Sequence, residues 1–112
     1  MNAPEGEPDD DDVEAVLRRT RADFVGGFEA AYTAMARLID RLLHDRGARS
    51  ELEHLLHQMG GLAGTIGFPT VSTRARELED VVRDTVSEEL DSSHARRLLD
   101  AIRLGFEQDT AS

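Results

Sequence analysis

Leu52-Glu53-His54-Leu55-Leu56-His57-Gln58-Met59-Gly60-Gly61-Leu62-Ala63-Gly64-Thr65-Ile66 is the stretch that decides how this chain folds. At about 100° per residue, Leu52, Leu55, Leu56, Met59, Leu62, Ala63 and Ile66 fall on one face, which predicts an amphipathic helix. Gly67-Phe68-Pro69 breaks that helix, and Pro69 suits the first position of the next one. On the upstream side, Ser50-Glu51-Leu52-Glu53 has the pattern of a capping box that opens or reinforces it.

Working outward, the rest of the chain also reads as helix. Phe24, Phe28, Ala31, Tyr32, Met35, Leu38, Ile39 and Leu42 recur at spacings of three and four, so a long helix precedes the central one. Thr20 and Asp23 serve as its expected cap, and His44, Arg46 and Gly47 as its expected end. Met35 reads as a core gap-filler. A short helix from Asp11 or Asp12 to Leu17 is expected before it. Downstream, Val71, Ala75, Leu78 and Val82 mark a further helix. Asp91-Ser92-Ser93 restarts the chain into a last one carrying Ala95, Leu98, Leu99, Ile102 and Phe106. No sustained alternation and no Asn-Gly or Asp-Gly hairpin signal argues for strands. The expectation is an all-α protein: an antiparallel four-helix bundle with a short extra N-terminal helix. One domain over residues 12–108 lies between a disordered acidic tail, residues 1–11, and a polar tail, residues 109–112.

The chain has 112 residues, enough for one modest core, and no cysteine, which removes disulfides, thiol nucleophiles and Cys-based zinc sites. Its net charge of −10 comes from 23 acids against 13 bases, and six of the acids lie in the first twelve residues. That Pro- and Gly-containing acidic run has too little apolar surface to offset its ordering entropy. The body is only mildly acidic and has no basic stripe, so nucleic acid is not an expected partner. Every base is arginine, which we attribute first to compositional bias. No signal peptide and no membrane-length apolar run is evident, so a cytoplasmic location away from the membrane is expected.

His57 projects about 160° from the centre of the apolar face, so it points at solvent, with His54 one turn earlier on the same side. Gly60, Gly61 and Gly64 follow it along that outer region. Each glycine costs about 1 kcal/mol relative to alanine in a helix interior, so the three together cost about 3 kcal/mol. A solvated face has no packing reason to bear that cost. A face that must let another protein approach a standing side chain does. An ordinary surface histidine beside a glycine helix end is the competing reading, and the apolar stripe, continuing in phase through Leu62, Ala63 and Ile66, opposes it.

His57-Gln58-Met59-Gly60-Gly61-Leu62-Ala63-Gly64-Thr65-Ile66-Gly67-Phe68, followed by Leu78-Glu79, resembles the signature of histidine-containing phosphotransfer domains. That family includes the phosphotransfer domains of chemotaxis-type histidine kinases and of phosphorelay proteins. His57, Met59, Gly61, Ala63, Gly67, Leu78 and Glu79 match its pattern. Gly60 departs from it, because that position usually holds lysine. The resemblance implies a bacterial two-component phosphocarrier in which Nε2 of His57 takes a phosphoryl group and Glu79 orients the ring through Nδ1. The implied partners are a sensor or chemotaxis-type histidine kinase and a response-regulator receiver domain, which supplies Mg²⁺ and the aspartate. No cofactor or metal of its own is implied, and a monomer is expected. His54, Gln58, Gly60, Gly61, Gly64 and Thr65 are the candidate docking residues on the outer face. Arg76 and Arg83 project on the same side as Glu79 and are candidates to support the phosphate.

Glu79 also has an intrahelical reading, pairing with Arg76 or Arg83 for a few tenths of a kcal/mol. A metal-binding bundle is a rival because Glu51-Leu52-Glu53-His54 is a Glu-x-x-His motif, but such sites need a second, inward-facing copy, and the sequence has none. A helical adaptor that docks a receiver or another helical partner without phosphorylation is the second rival. An ATP site of its own is not expected, since no glycine-rich loop with a lysine is present. His44 and His94 read as residues at helix ends.

Overall fold

A computed structural model of the chain describes residues 10–86 and 89–111, with side chains from residue 12 onward. Among the described residues there are four helices and no strand: α1 (Asp10–Asp40), α2 (Arg46–Thr65), α3 (Pro69–Asp84) and α4 (Ser92–Ala111). Short connections force neighbours antiparallel, and α2 packs on α3, α3 on α4, and α1 against both α2 and α4. The result is a four-helix bundle. None of the described helices is long and apolar enough to cross a membrane.

The N-terminal part differs from the expectation. No separate short helix exists, because α1 runs unbroken from Asp10 through the proposed cap at Thr20. Its hydroxyl donates to the Val16 carbonyl at 2.9 Å, the back-bond of a mid-helix threonine. Without Gly or Pro nearby, nothing stops the helix there. The disorder expected of residues 1–11 lies, for residues 1–9, outside the described residues; residues 10 and 11 belong to α1.

The α1–α2 boundary also moves. α1 ends at Asp40, a tight turn follows, and the Asp45 carboxylate accepts from Gly47 N at 2.8 Å to cap α2. A good N-cap five residues upstream therefore places Ser50 inside the helix, where no capping box is needed. At the other end of α2, Ile66 N donates to the Leu62 carbonyl at 3.0 Å and Phe68 N to that of Ala63 at 2.8 Å. Gly67 makes this reversal possible at φ +84°, a region that favours glycine. Pro69 then opens α3, as the sequence predicts.

The core is built from one stripe of each helix. Phe28, Met35 and Ile39 of α1 meet Leu52, Leu56 and Ala63 of α2, Val71, Ala75, Leu78 and Val82 of α3, and Ala95, Leu99 and Ile102 of α4. All four phenylalanines gather at the end that holds the α2–α3 turn. Phe28 stacks on Phe106 at 3.9 Å between centroids, and Phe24 meets Phe68 edge-on at 5.4 Å. Beside them α4 comes close to the start of α3: a Cβ at Gly105 would stand 2.9 Å from Thr70 Cγ2, so only glycine fits without a shift. One turn later the Asp109 carboxylate accepts from Val71 N at 2.9 Å. The polar tail expected at residues 109–112 is thus corrected for residues 109–111: α4 continues to Ala111, and Asp109 caps a different helix, while residue 112 lies outside the described residues.

Candidate functional site

The buried stripe of α2 is Leu52, Leu56, Met59, Ala63 and Ile66, counting its cap residue. That phase leaves the His57 side chain 77% exposed. α3 lies along one flank of α2, and its own stripe of Val71, Ala75, Leu78 and Val82 carries Glu79 at the shoulder, facing α2. The two meet: Glu79 Oε2 lies 3.1 Å from His57 Nδ1, with the carboxylate side chain only 12% exposed. A carboxylate against one ring nitrogen favours the tautomer that carries its proton on that side, and it leaves Nε2 as the outward nitrogen. The same Oε2 lies 3.8 Å from Arg83 Nη1. Arg83 in turn pairs with Asp80 at 2.5 Å and Asp84 at 3.1 Å. These aspartates, Asp84 first, raise its affinity for its proton above the ordinary arginine range.

The three glycines do not share one environment. Gly60 is buried, not open to a partner as the sequence reading expects. It is turned about 60° from His57 toward α3, and a Cβ there would stand 3.4 Å from Arg76 Cγ and 3.6 Å from the Ser72 carbonyl oxygen. Gly64 is exposed but borders Ser72 Oγ at 3.3 Å from its would-be Cβ. Gly61, turned the other way, has nothing within 4 Å of that position. Thr65 is exposed and its hydroxyl donates back to the Gly61 carbonyl at 3.0 Å. His54 is exposed and shares a shallow depression with Ser50, Glu53, His57 and Glu79. Gln58 sits on the opposite side, at the rim of an apolar cleft between α1 and α2 lined by Phe24, Ala31, Leu55 and Leu62. Leu62, placed on the apolar face by its phase, is 40% exposed there.

Ser72 is a residue that the sequence reading does not single out. It is buried, and its hydroxyl donates to the Gly60 carbonyl at 2.8 Å, tying α3 to α2 one turn from His57. The available signal is its position two turns before Glu79 on the same stripe of α3. Among the described residues no group of three His, Asp or Glu side chains stands ready to hold a metal ion, and Glu51 and His54 acquire no such companions.

A helical bundle that presents a solvent-facing imidazole whose inner nitrogen meets a carboxylate of the next helix has the form of a histidine phosphotransfer module. The family model for the Hpt domain matches residues 11–108, and the chain belongs to that family. Comparison with curated proteins and with solved structures gives no match. Membership implies histidine phosphotransfer in a phosphorelay, with kinases and response-regulator receivers as the interacting classes.

Proposed function

We propose that this domain carries a phosphoryl group on Nε2 of His57, exchanging it with the aspartate of a response-regulator receiver or taking it from a histidine kinase. The Nε2 lone pair attacks phosphorus of the aspartyl phosphate. The N–P bond forms, the P–O bond to the receiver breaks, and its electron pair returns to the receiver carboxylate. The ring keeps its Nδ1 proton and gains positive charge, which the Glu79 carboxylate at 3.1 Å offsets. Reversal follows the same path. Most of the work is positioning and charge neutralisation, and the receiver's acidic pocket brings the Mg²⁺.

The observation that carries this reading is the pairing of an exposed imidazole with a nearly buried carboxylate. A surface histidine without a task has no need of such a partner. Around it, Gly61 leaves the helix surface low, and the apolar cleft beside Gln58 and Leu62 supplies contact area for the approaching receiver. His54, Gly64 and Thr65 complete the rim of that docking face.

The test is incubation with a panel of phosphorylated receivers and candidate kinases in Mg²⁺, comparing wild type with His57→Gln. Acid-labile, alkali-stable label on wild type alone is expected. Equal label on both proteins would move the site off His57. A folded domain that binds a receiver yet takes no label from any donor would establish the adaptor reading instead.

A further inference from the structure

A phosphoryl group brings about two negative charges to His57, and transfer is favoured where a cation meets them. Two arginines of α3 flank Glu79, one turn before it and one turn after. Arg83 is already engaged by Asp80, Asp84 and Glu79. Arg76 is not: among the described residues it has neither a hydrogen bond nor an ion pair. Its stem lies across α2 at Gly60, Cγ standing 3.4 Å from where a Cβ would be, and its guanidinium rests near Gly64, Nη2 at 3.9 Å from the corresponding point there. Residues one turn apart on a helix have Cβ positions about 5–6 Å from each other. The Arg76 stem therefore starts one turn from Glu79, which meets the imidazole, and lies against Gly60, one turn from His57.

We propose that Arg76, laid over the side-chain-free surface of Gly60, is the cation that holds the phosphoryl group on His57. This rests on the reading of His57 as the carrier. Exposed side chains change rotamer within nanoseconds, so the guanidinium swings from Gly64 to the phosphoryl oxygens without backbone movement. Its planar fork donates two N–H groups to two of those oxygens and gives up no proton. Gly60 is the complement of this device: any side chain longer than alanine there would compete with the Arg76 stem for the same space. The cation comes from α3 because α2 leaves it room.

Potassium phosphoramidate as a small-molecule donor tests this without a cognate partner. Uptake is followed by intact mass, and the phosphohistidine by phosphorus NMR. Arg76→Ala is expected to slow uptake about 10- to 100-fold, the range a lost charge-assisted hydrogen bond implies, and to shift the phosphorus resonance. Arg76→Lys should keep most of the rate. Gly60→Lys in the Arg76→Ala background should restore it, since a lysine on α2 then occupies the vacated space. Circular dichroism melting confirms that each variant is folded. Wild-type uptake and an unmoved resonance in folded Arg76→Ala would overturn the assignment while leaving His57 as the carrier. A folded wild type that takes no label at all would overturn the carrier reading and this one with it.

Discussion

At the scale of single residues, the site turns on one oxygen. Glu79 Oε2 faces His57 Nδ1 at 3.1 Å and Arg83 Nη1 at 3.8 Å, so the carboxylate is shared between a ring that gains charge and a guanidinium that already has one. Glu79→Gln separates orientation from charge. Its amide oxygen still accepts from Nδ1–H, yet the cationic ring formed on transfer loses its counter-ion. A hydrogen bond to a charged group is worth about 1 kcal/mol more than a neutral one, which corresponds to a rate lower by roughly fivefold to tenfold. Initial rates of phosphoryl transfer from a phosphorylated receiver measure it, and an unchanged rate would mean that Glu79 only orients the ring. The exposure of His57 is legible in the sequence from helical phase, which puts it at the solvent pole of its helix. Phase places Glu79 only at the shoulder of its own helix, and its pairing with His57 is read from the family resemblance. The burial of Gly60 is not legible. Phase tells that a residue lies beside the exposed face, but not which flank the neighbouring helix will cover.

At the scale of the element, α2 and the turn that follows it hold two glycines under opposite constraints. Gly67 sits at φ +84° in the turn that aims Phe68 into the aromatic cluster, so Gly67→Ala strains the backbone. A cost of about 1–2 kcal/mol is expected for a side chain in that left-handed region. Gly61 sits in ordinary helix with open space where a Cβ would go, and Gly61→Ala should add about 1 kcal/mol of stability. The informative measurement pairs thermal unfolding with receiver-dependent transfer. If the open face serves docking, Gly61→Ala melts higher and transfers more slowly. Faster or equal transfer from the more stable variant would remove docking as the reason for this glycine. Element type was legible along the chain, since four apolar stripes at spacings of three and four allow little else. Boundaries were less so. Thr20 has the chemistry of a cap, but its hydroxyl is satisfied just as well by the Val16 carbonyl, and only a breaker would have ended the helix. Asp45, by contrast, captured the start of α2 ahead of Ser50 because its carboxylate reaches Gly47 N first.

At the scale of the whole molecule, the geometry of the site depends on helices that do not carry it. The first turn of α3 has no capping side chain of its own, and Asp109 of α4 supplies one through Val71 N at 2.9 Å and, more weakly, Thr70 N at 3.4 Å. At the other end of α3, Arg49 of α2 donates to the carbonyls of Arg83 and Thr85. The Ile66 carbonyl at the end of α2 is met by Arg21 of α1 at 3.1 Å. These long-range caps could not be read from the chain, because capping patterns are sought within four residues and Asp109 lies 38 residues from its target. They bind the helix pair that brings His57 and Glu79 together into the bundle as one cooperative unit. Asp109→Ala should therefore lower stability by about 1 kcal/mol, the usual worth of a helix N-cap. For a domain of this size that amounts to a fall in melting temperature of roughly 4–8 °C. The loss should be spread over the whole unfolding transition and not confined to one helix, so far-ultraviolet dichroism and His57 label uptake should decline together as temperature rises. Well below the transition, uptake should equal that of the wild type, since Asp109 touches neither His57 nor Glu79. Impaired uptake at low temperature in a variant with unchanged melting would show instead that α4 sets the position of α3 at the site without contributing to the stability of the bundle.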